Sequence, residues 1–305
     1  VTIYNLVSAG GLVILLALCW VLSSARGRVN WKTVLVGTGL MLVLALAVFI
    51  FPPGRRALWV INQAVVALIG YSRDGIAFLF GPLAKGPGEP GSIGFILAVQ
   101  YLPTIVFFMS LMAVLYYLRV MPLVVRGFAW VFMRLLGTSG AESLAASSSI
   151  FVGIETTGAI RPFMADLTRS ELMTLMTTLM ATVAASTLAV YVGFLHEKFP
   201  QIAGHLVSAS VLSAPAAIVV SKLLVPETGS PATLGRMEMV QPPAEGGLMG
   251  AVISGANDGV RLVVGIIALL LAFLGLLALV NGILGLIGRI FPSSWGLGGL
   301  SLQSI

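Results

Sequence analysis

Apolar runs of about 20 residues follow one another along the whole chain, and each is long enough to cross a hydrocarbon core as a helix rising about 1.5 Å per residue. They lie at 6–24, 34–51, 95–118, 172–195, 203–224 and 248–290, the last too long for a single upright crossing. Within each run the apolar residues are continuous instead of alternating, unlike the strands of a membrane barrel. Backbone polar groups in lipid must bond to one another, so continuous apolar runs fold as helices. Only 9% of the residues are charged and the mean hydropathy is +1.05, against about 25% charged in soluble domains. A signal peptide or single anchor cannot account for so many runs. The fold class is an all-α polytopic membrane protein, with transmembrane helices, interfacial helices and one re-entrant helical hairpin.

The cationic connections orient the chain. Arg26, Arg28 and Lys32 follow the first run, and Arg119, Arg126 and Arg134 follow the third, which places both groups on the inner face. We therefore expect a multi-pass protein of a bacterial inner (plasma) membrane. The expected organisation is scaffold helices 1 and 2 in 1–54, an interfacial helix and Gly/Pro-rich loop in 55–93, helix 3 in 94–119 and a second interfacial helix in 120–136. A unit of chemistry follows in 137–225, then a cytoplasmic linker in 226–247. An amphipathic helix with a long scaffold helix fills 248–305, where Asp258 is expected to pair with Arg261, three residues on along one face. The net charge of +6 is spread over short connections, so the lipid bilayer, and no nucleic acid, is the expected partner. The one cysteine, Cys19, lies inside the first run and is expected to act as a small buried hydrophobe.

The stretch GTSGAESLAASSSIFVGIETTGAIRP, 137–162, is as long as a span but crowded with small and hydroxylic residues and two carboxylates, Glu142 and Glu155. An ionisable group at membrane depth costs at least about 2.5 kcal/mol, so these face protein or a wet cavity. Two half-helices meeting at a tip explain the composition, because exposed helix ends offer N–H and C=O groups to polar ligands. Glu142, close to the start, suits a helix cap. Glu155 suits handling of a substrate or proton. A weaker signal of the same kind, ATVAASTLAV at 181–190, predicts a break near Thr182 that exposes carbonyls and a hydroxyl, although small residues also serve close helix packing. His196 and His205 flank an outer loop and are expected to be solvated. With no histidine at depth and no HExxH or GxSxG pattern, an intramembrane enzyme is not expected.

GTSGAES with its small-residue run, IFVG, an acid and RPF, then LTRSEL, together resemble the first re-entrant hairpin and adjoining helix of concentrative nucleoside transporters. HLVSASVLSAPAAIVVSKLLVPET at 205–228 and ALVNGILG at 278–285 extend the resemblance, which runs from about residue 31 to the last. It implies a homotrimer in which a scaffold holds a mobile transport domain that carries nucleosides across the membrane in an elevator-like movement. It also implies two inverted repeats, of which this sequence contains the first; LSLQSI resembles the lead-in to the second.

Carried over position by position, the resemblance makes Gly153, Ile154, Glu155 and Thr156 substrate-binding, and Ser149, Val152, Thr182 and Val183 ion-binding. The sequence departs from the family in three places, one of them the stretch from Gly153 to Arg161, which is one residue shorter than in the family. Ile154 stands where the family has a glutamine, and an amide that reads a base edge has no replacement in isoleucine. Ser149 supplies a hydroxyl where sodium-coupled members have an asparagine. An oxygen still suits a hard cation, so sodium remains one coupling ion; the other is a proton, carried by a buried carboxylate such as Glu155. No cofactor is expected beyond that ion. Alternatives to nucleoside import are an ion-coupled carrier of a related solute, and a channel or scaffold.

Overall fold

The computed structural model describes residues 3–153, 161–236 and 246–290, and among them every regular element is helical. The helices are α1 (Ile3–Val21), α2 (Trp31–Phe49), α3 (Pro52–Phe80), α4 (Leu97–Gln100), α5 (Thr104–Tyr117), α6 (Val120–Leu136) and α7 (Gly140–Val152). After a 3₁₀ segment at Arg161–Asp166 come α8 (Arg169–Ala181), α9 (Ala185–Leu195), α10 (Ile202–Leu224) and α11 (Gly247–Ile290). The fold is thus an all-α membrane bundle. Among the described residues, six segments are long and apolar enough to cross a bilayer: 31–49, 52–84, 97–117, 169–195, 202–224 and 247–286.

That set differs from the expected runs at two points: the first run, 6–24, appears only as a shorter apolar helix, Val7–Val21, and the segment 52–84 is added. The 52–84 segment, read from sequence as interfacial plus loop, qualifies by length and composition. Its Asn62 is buried and reaches a distant element: Nδ2 donates to the Pro200 carbonyl at 2.9 Å and Oδ1 accepts from the Gly204 N–H. The Gly/Pro-rich loop after it is gathered by one side chain. Gln100 donates through Nε2 to the Lys85 and Gly94 carbonyls and accepts through Oε1 from the Ile96 N–H.

The second interfacial candidate is a clean amphipathic helix. On α6, Met121, Pro122, Val125, Ala129, Phe132 and Leu136 are buried, the helical spacing of one packed face. Arg126 and Arg134 lie on the exposed side, with Arg134 over the Trp130 ring. The buried face packs through Phe132 and Leu136 against Ala146 and Ile150 of α7 and Ala214 and Ile218 of α10.

The other half of the bundle is built on α5 and α11. At about 1.5 Å per residue, the 44 residues of α11 greatly exceed an upright crossing of a roughly 30 Å core. Two glycines four residues apart bring α11 onto α5: a Cβ on Gly255 would lie 2.7 Å from the Met109 carbonyl oxygen, and one on Gly259 2.7 Å from the Val106 Cα. Small residues at this spacing let helix backbones touch, which is how helices pack where lipid removes the hydrophobic drive. Asp258 and Arg261, expected to pair, form no ion pair; both are exposed beside this seam and point away from the bundle.

Gly259→Val should overpack the α5–α11 seam and cost about 1–3 kcal/mol, seen as a lower midpoint of thermal unfolding in detergent. Gly265, also on α11 but with open space around it, provides the contrast. Gly265→Ala should hold or gain up to about 1 kcal/mol.

Candidate functional site

From Gly140 to Ile150 every residue of α7 is buried, which suits a helix enclosed on all sides. Its small side chains let α6, α8 and α10 approach, and its hydroxyls bond back along the helix. Ser143 and Ser147 donate to the Ser139 and Ser143 carbonyls at 2.7 Å, and Ser149 to the Ala146 carbonyl at 3.0 Å.

The N-terminal end of α7 is sealed. Ser139 accepts from the Glu142 N–H and the Glu142 carboxylate accepts from the Ser139 N–H, completing a capping box, in agreement with the structural role expected of Glu142. The segment after α10 covers the remaining donors: the Gly140 N–H bonds to the Thr233 carbonyl and the Ala141 N–H to Thr233 Oγ1, both at 3.0 Å. A Cβ at Gly140 would lie 1.7 Å from the Arg236 carbonyl oxygen, so glycine is required here. α8 begins the same way, with Thr168 and Glu171 forming a second capping box. The two starts are adjacent, since Ser139 Oγ donates to Glu171 Oε1 at 2.6 Å.

The C-terminal end of α7 meets the interruption expected from ATVAASTLAV. α8 stops at Ala181 and α9 starts at Ala185, with Thr182 and Ala184 in extended conformation. Gly153, at φ +65°, closes α7, and a Cβ there would press within 2.7 Å of the Ala184 Cβ. Val152, Gly153, Thr182, Val183, Ala184, Ser186 and Thr187 line a cleft of about 210 Å³, with Leu179, Tyr191 and Leu262 completing its wall. Three helix ends point into it. The last turns of α7 and α8 bring carbonyls and the negative end of their dipoles, while α9 starts without a side-chain cap and brings N–H groups. Such a set can bind a cation and a polar, uncharged solute side by side.

Among the positions singled out from sequence, the structure therefore brings Val152, Gly153, Thr182 and Val183 together. Ser149 is a turn deeper and fully buried, its carbonyl accepting the Gly153 N–H. Ile154, Glu155 and Thr156 lie outside the described residues. Thr182 Oγ1 donates to the Thr178 carbonyl at 2.9 Å, which leaves its lone pairs for a ligand. One contributor escaped the sequence reading: Ser210 of α10 braces the break, accepting from the Val183 N–H and donating to the Val183 carbonyl at 3.2 Å. The run of small and hydroxylic residues SASVLSAPAA around it was the available signal. His196, expected to be solvated, is half-buried at the end of α9, with Nδ1 shielded from solvent and unbonded among the described residues. His205 is exposed and stacks on Phe49.

Three family profiles match the chain: Na+ dependent nucleoside transporter N-terminus over residues 10–83, nucleoside recognition over 98–198 and Na+ dependent nucleoside transporter C-terminus over 205–305. The chain is 38% identical to the uncharacterized transporter YutK of Bacillus subtilis, across 97% of this chain and 70% of that protein. It is 34% identical to the nucleoside permease NupC of Helicobacter pylori, across 91% of this chain and 65% of that protein. Human solute carrier family 28 member 3 is 36% identical across 94% of this chain, which spans only 40% of that longer protein. Among solved structures, CNTnw in an inward-facing substrate-bound state superposes with a TM-score of 0.83 at 35% identity, over 96% of this chain and 67% of CNTnw. A CNTnw variant in an outward-facing state gives 0.84, over 99% and 69%. These matches cover nearly the whole chain in sequence and in shape, and the chain belongs to the concentrative nucleoside transporter family.

Proposed function

We propose that this chain belongs to a secondary active transporter that imports nucleosides with a sodium ion, through the cleft between the end of α7 and the break between α8 and α9. The observation that carries this reading is the convergence of three helix ends on one cleft, where backbone groups and the hydroxyls of Thr182, Ser186 and Thr187 meet an apolar lining. Val152 and Val183 would offer carbonyl oxygens to the ion and Thr182 a hydroxyl, a donor set suited to a hard cation; Ser149, a turn deeper and bonded to the Ala146 carbonyl, would join them only by turning its hydroxyl toward the cleft. Gly153, Ile154, Glu155 and Thr156 would face the solute. That α7 and α8 start side by side, with 13 residues in α7, supports a re-entrant hairpin: at about 20 Å, α7 is shorter than a bilayer core.

In this reading the protein lies in the inner membrane as a homotrimer, with α3 along the outer interface. The unit from 137 to 225 shifts as a body against a scaffold containing α5 and α11. A related solute that lacks a nucleobase edge is the second reading, favoured by Ile154, which offers no amide at the position where the family carries one.

Nucleoside uptake into proteoliposomes under separate sodium and pH gradients tests the proposal. Uptake driven by sodium is expected. Uptake driven by the pH gradient alone would transfer the coupling role to a proton, and no uptake under either gradient would overturn nucleoside import. Thr182→Val removes one oxygen while keeping the shape of the side chain. It should raise the sodium concentration for half-maximal uptake about tenfold, with uptake at saturating sodium little changed. Ser210→Ala should leave the break unbraced and lower stability by about 1–3 kcal/mol, measured by thermal unfolding with and without sodium.

A further inference from the structure

Far from the cleft, at the sealed end of α7, a buried lysine ties four parts of the chain together. Lys222, in the last turn of α10, forms an ion pair with Glu142 of α7. It also donates to Ser170 Oγ of α8 at 2.9 Å and lies 3.6 Å from the carboxylate of Glu227, which follows α10. Lys222 is 9% exposed, Glu142 2% and Ser170 2%. The partners are themselves fixed. Glu142 Oε1 accepts from Thr174 Oγ1 at 2.9 Å, Ser170 Oγ donates to the Val225 carbonyl at 2.8 Å, and Thr168 Oγ1 donates to Glu227 at 2.8 Å. Ser221, beside Lys222, meets Thr174 at 3.0 Å.

Removing one partner of such a buried pair leaves a charge without compensation, and its geometry is correspondingly restrictive. α7 is a single rigid helix between this anchor and the cleft. Its rotation and height at the anchor decide where Val152 and Gly153 stand at the other end. Clearance there is small, because Gly153 packs against Ala184 with no room for a Cβ.

We propose that Lys222 is a positioning residue for transport: by holding Glu142 of α7 to Ser170 of α8, it sets the register that keeps Val152–Gly153 against Thr182–Ala184. This rests on the reading that the cleft receives the solute. It assigns to Lys222 no contact with solute or ion.

The test compares the full protein with three variants, Lys222→Met, Lys222→Arg and Lys222→Met/Glu142→Gln, by nucleoside uptake and by hydrogen exchange of the amides at 149–153. The double variant removes the tether and neutralises the buried Glu142, leaving only the partly exposed Glu227 without its cation, and it carries the comparison if Lys222→Met does not fold. Positioning predicts that KM rises about tenfold in the methionine variants with Vmax within about twofold. It also predicts faster exchange at 149–153 in both, and near-normal behaviour in Lys222→Arg. A double variant that folds with wild-type KM and unchanged exchange at 149–153 would overturn the proposal, reducing Lys222 to charge compensation. If the wild-type protein takes up no nucleoside, the nucleoside reading fails on its own, and the exchange comparison still decides the role of Lys222.

Discussion

A helix that ends inside an apolar bundle exposes up to four backbone groups that water cannot reach, and much of this structure follows from how those groups are answered. At the start of α7 they are answered by the chain itself. Ser139, Glu142 and Thr233 take up its first N–H groups, and α8 repeats the device with Thr168 and Glu171. At the end of α7 and across the Thr182–Ala184 break, helix ends instead face a cleft. One end is closed against ligands and the other is left open to them. In the proposed reading, that asymmetry makes the cleft a site and the opposite end a fastening.

The fastening and the site cost the fold differently. Burying Glu142, Glu171 and Lys222 is tolerable only because hydroxyls, helix N-termini and an opposite charge surround them. The cleft keeps polar groups beside Leu262 and Tyr191, within an apolar frame. Elsewhere the bundle relies on close contact, as where Gly255 and Gly259 bring α11 onto α5. Such a seam suits a part that stays still, while in the proposed reading the hydroxyl-rich helices α7 to α10 hold the chemistry.

The legible features were local in sequence. Apolar runs gave the helices, the place of Glu142 near the start of its segment gave a cap, and the alanines and hydroxyls around Thr182 gave a break, because each depends on residues within a turn or two. Pairings across the bundle were not legible. Lys222 meets Glu142 from another helix, Ser210 reaches Val183 across 27 positions, and Asn62 reaches Gly204 across 142. Nothing in periodicity encodes which polar residues of separate helices will share a level. The same limit explains Asp258 and Arg261, well spaced along one helix yet turned outward, and His196, whose loop position hid its partial burial. The mixed composition of α3 suggested an interface, yet the burial of Asn62 came from packing that composition does not reveal.

The proposed re-entrant hairpin requires the chain to leave and return on one side of the membrane between α6 and α8. Its direct test is labelling by a membrane-impermeant thiol reagent of single cysteines at Leu135 and Asp166, both exposed, after Cys19→Ala. The account predicts that both react from the inner face alone, in inside-out vesicles and not in right-side-out ones. Reaction of the two positions from opposite faces would mean a complete crossing between them, and would contradict it.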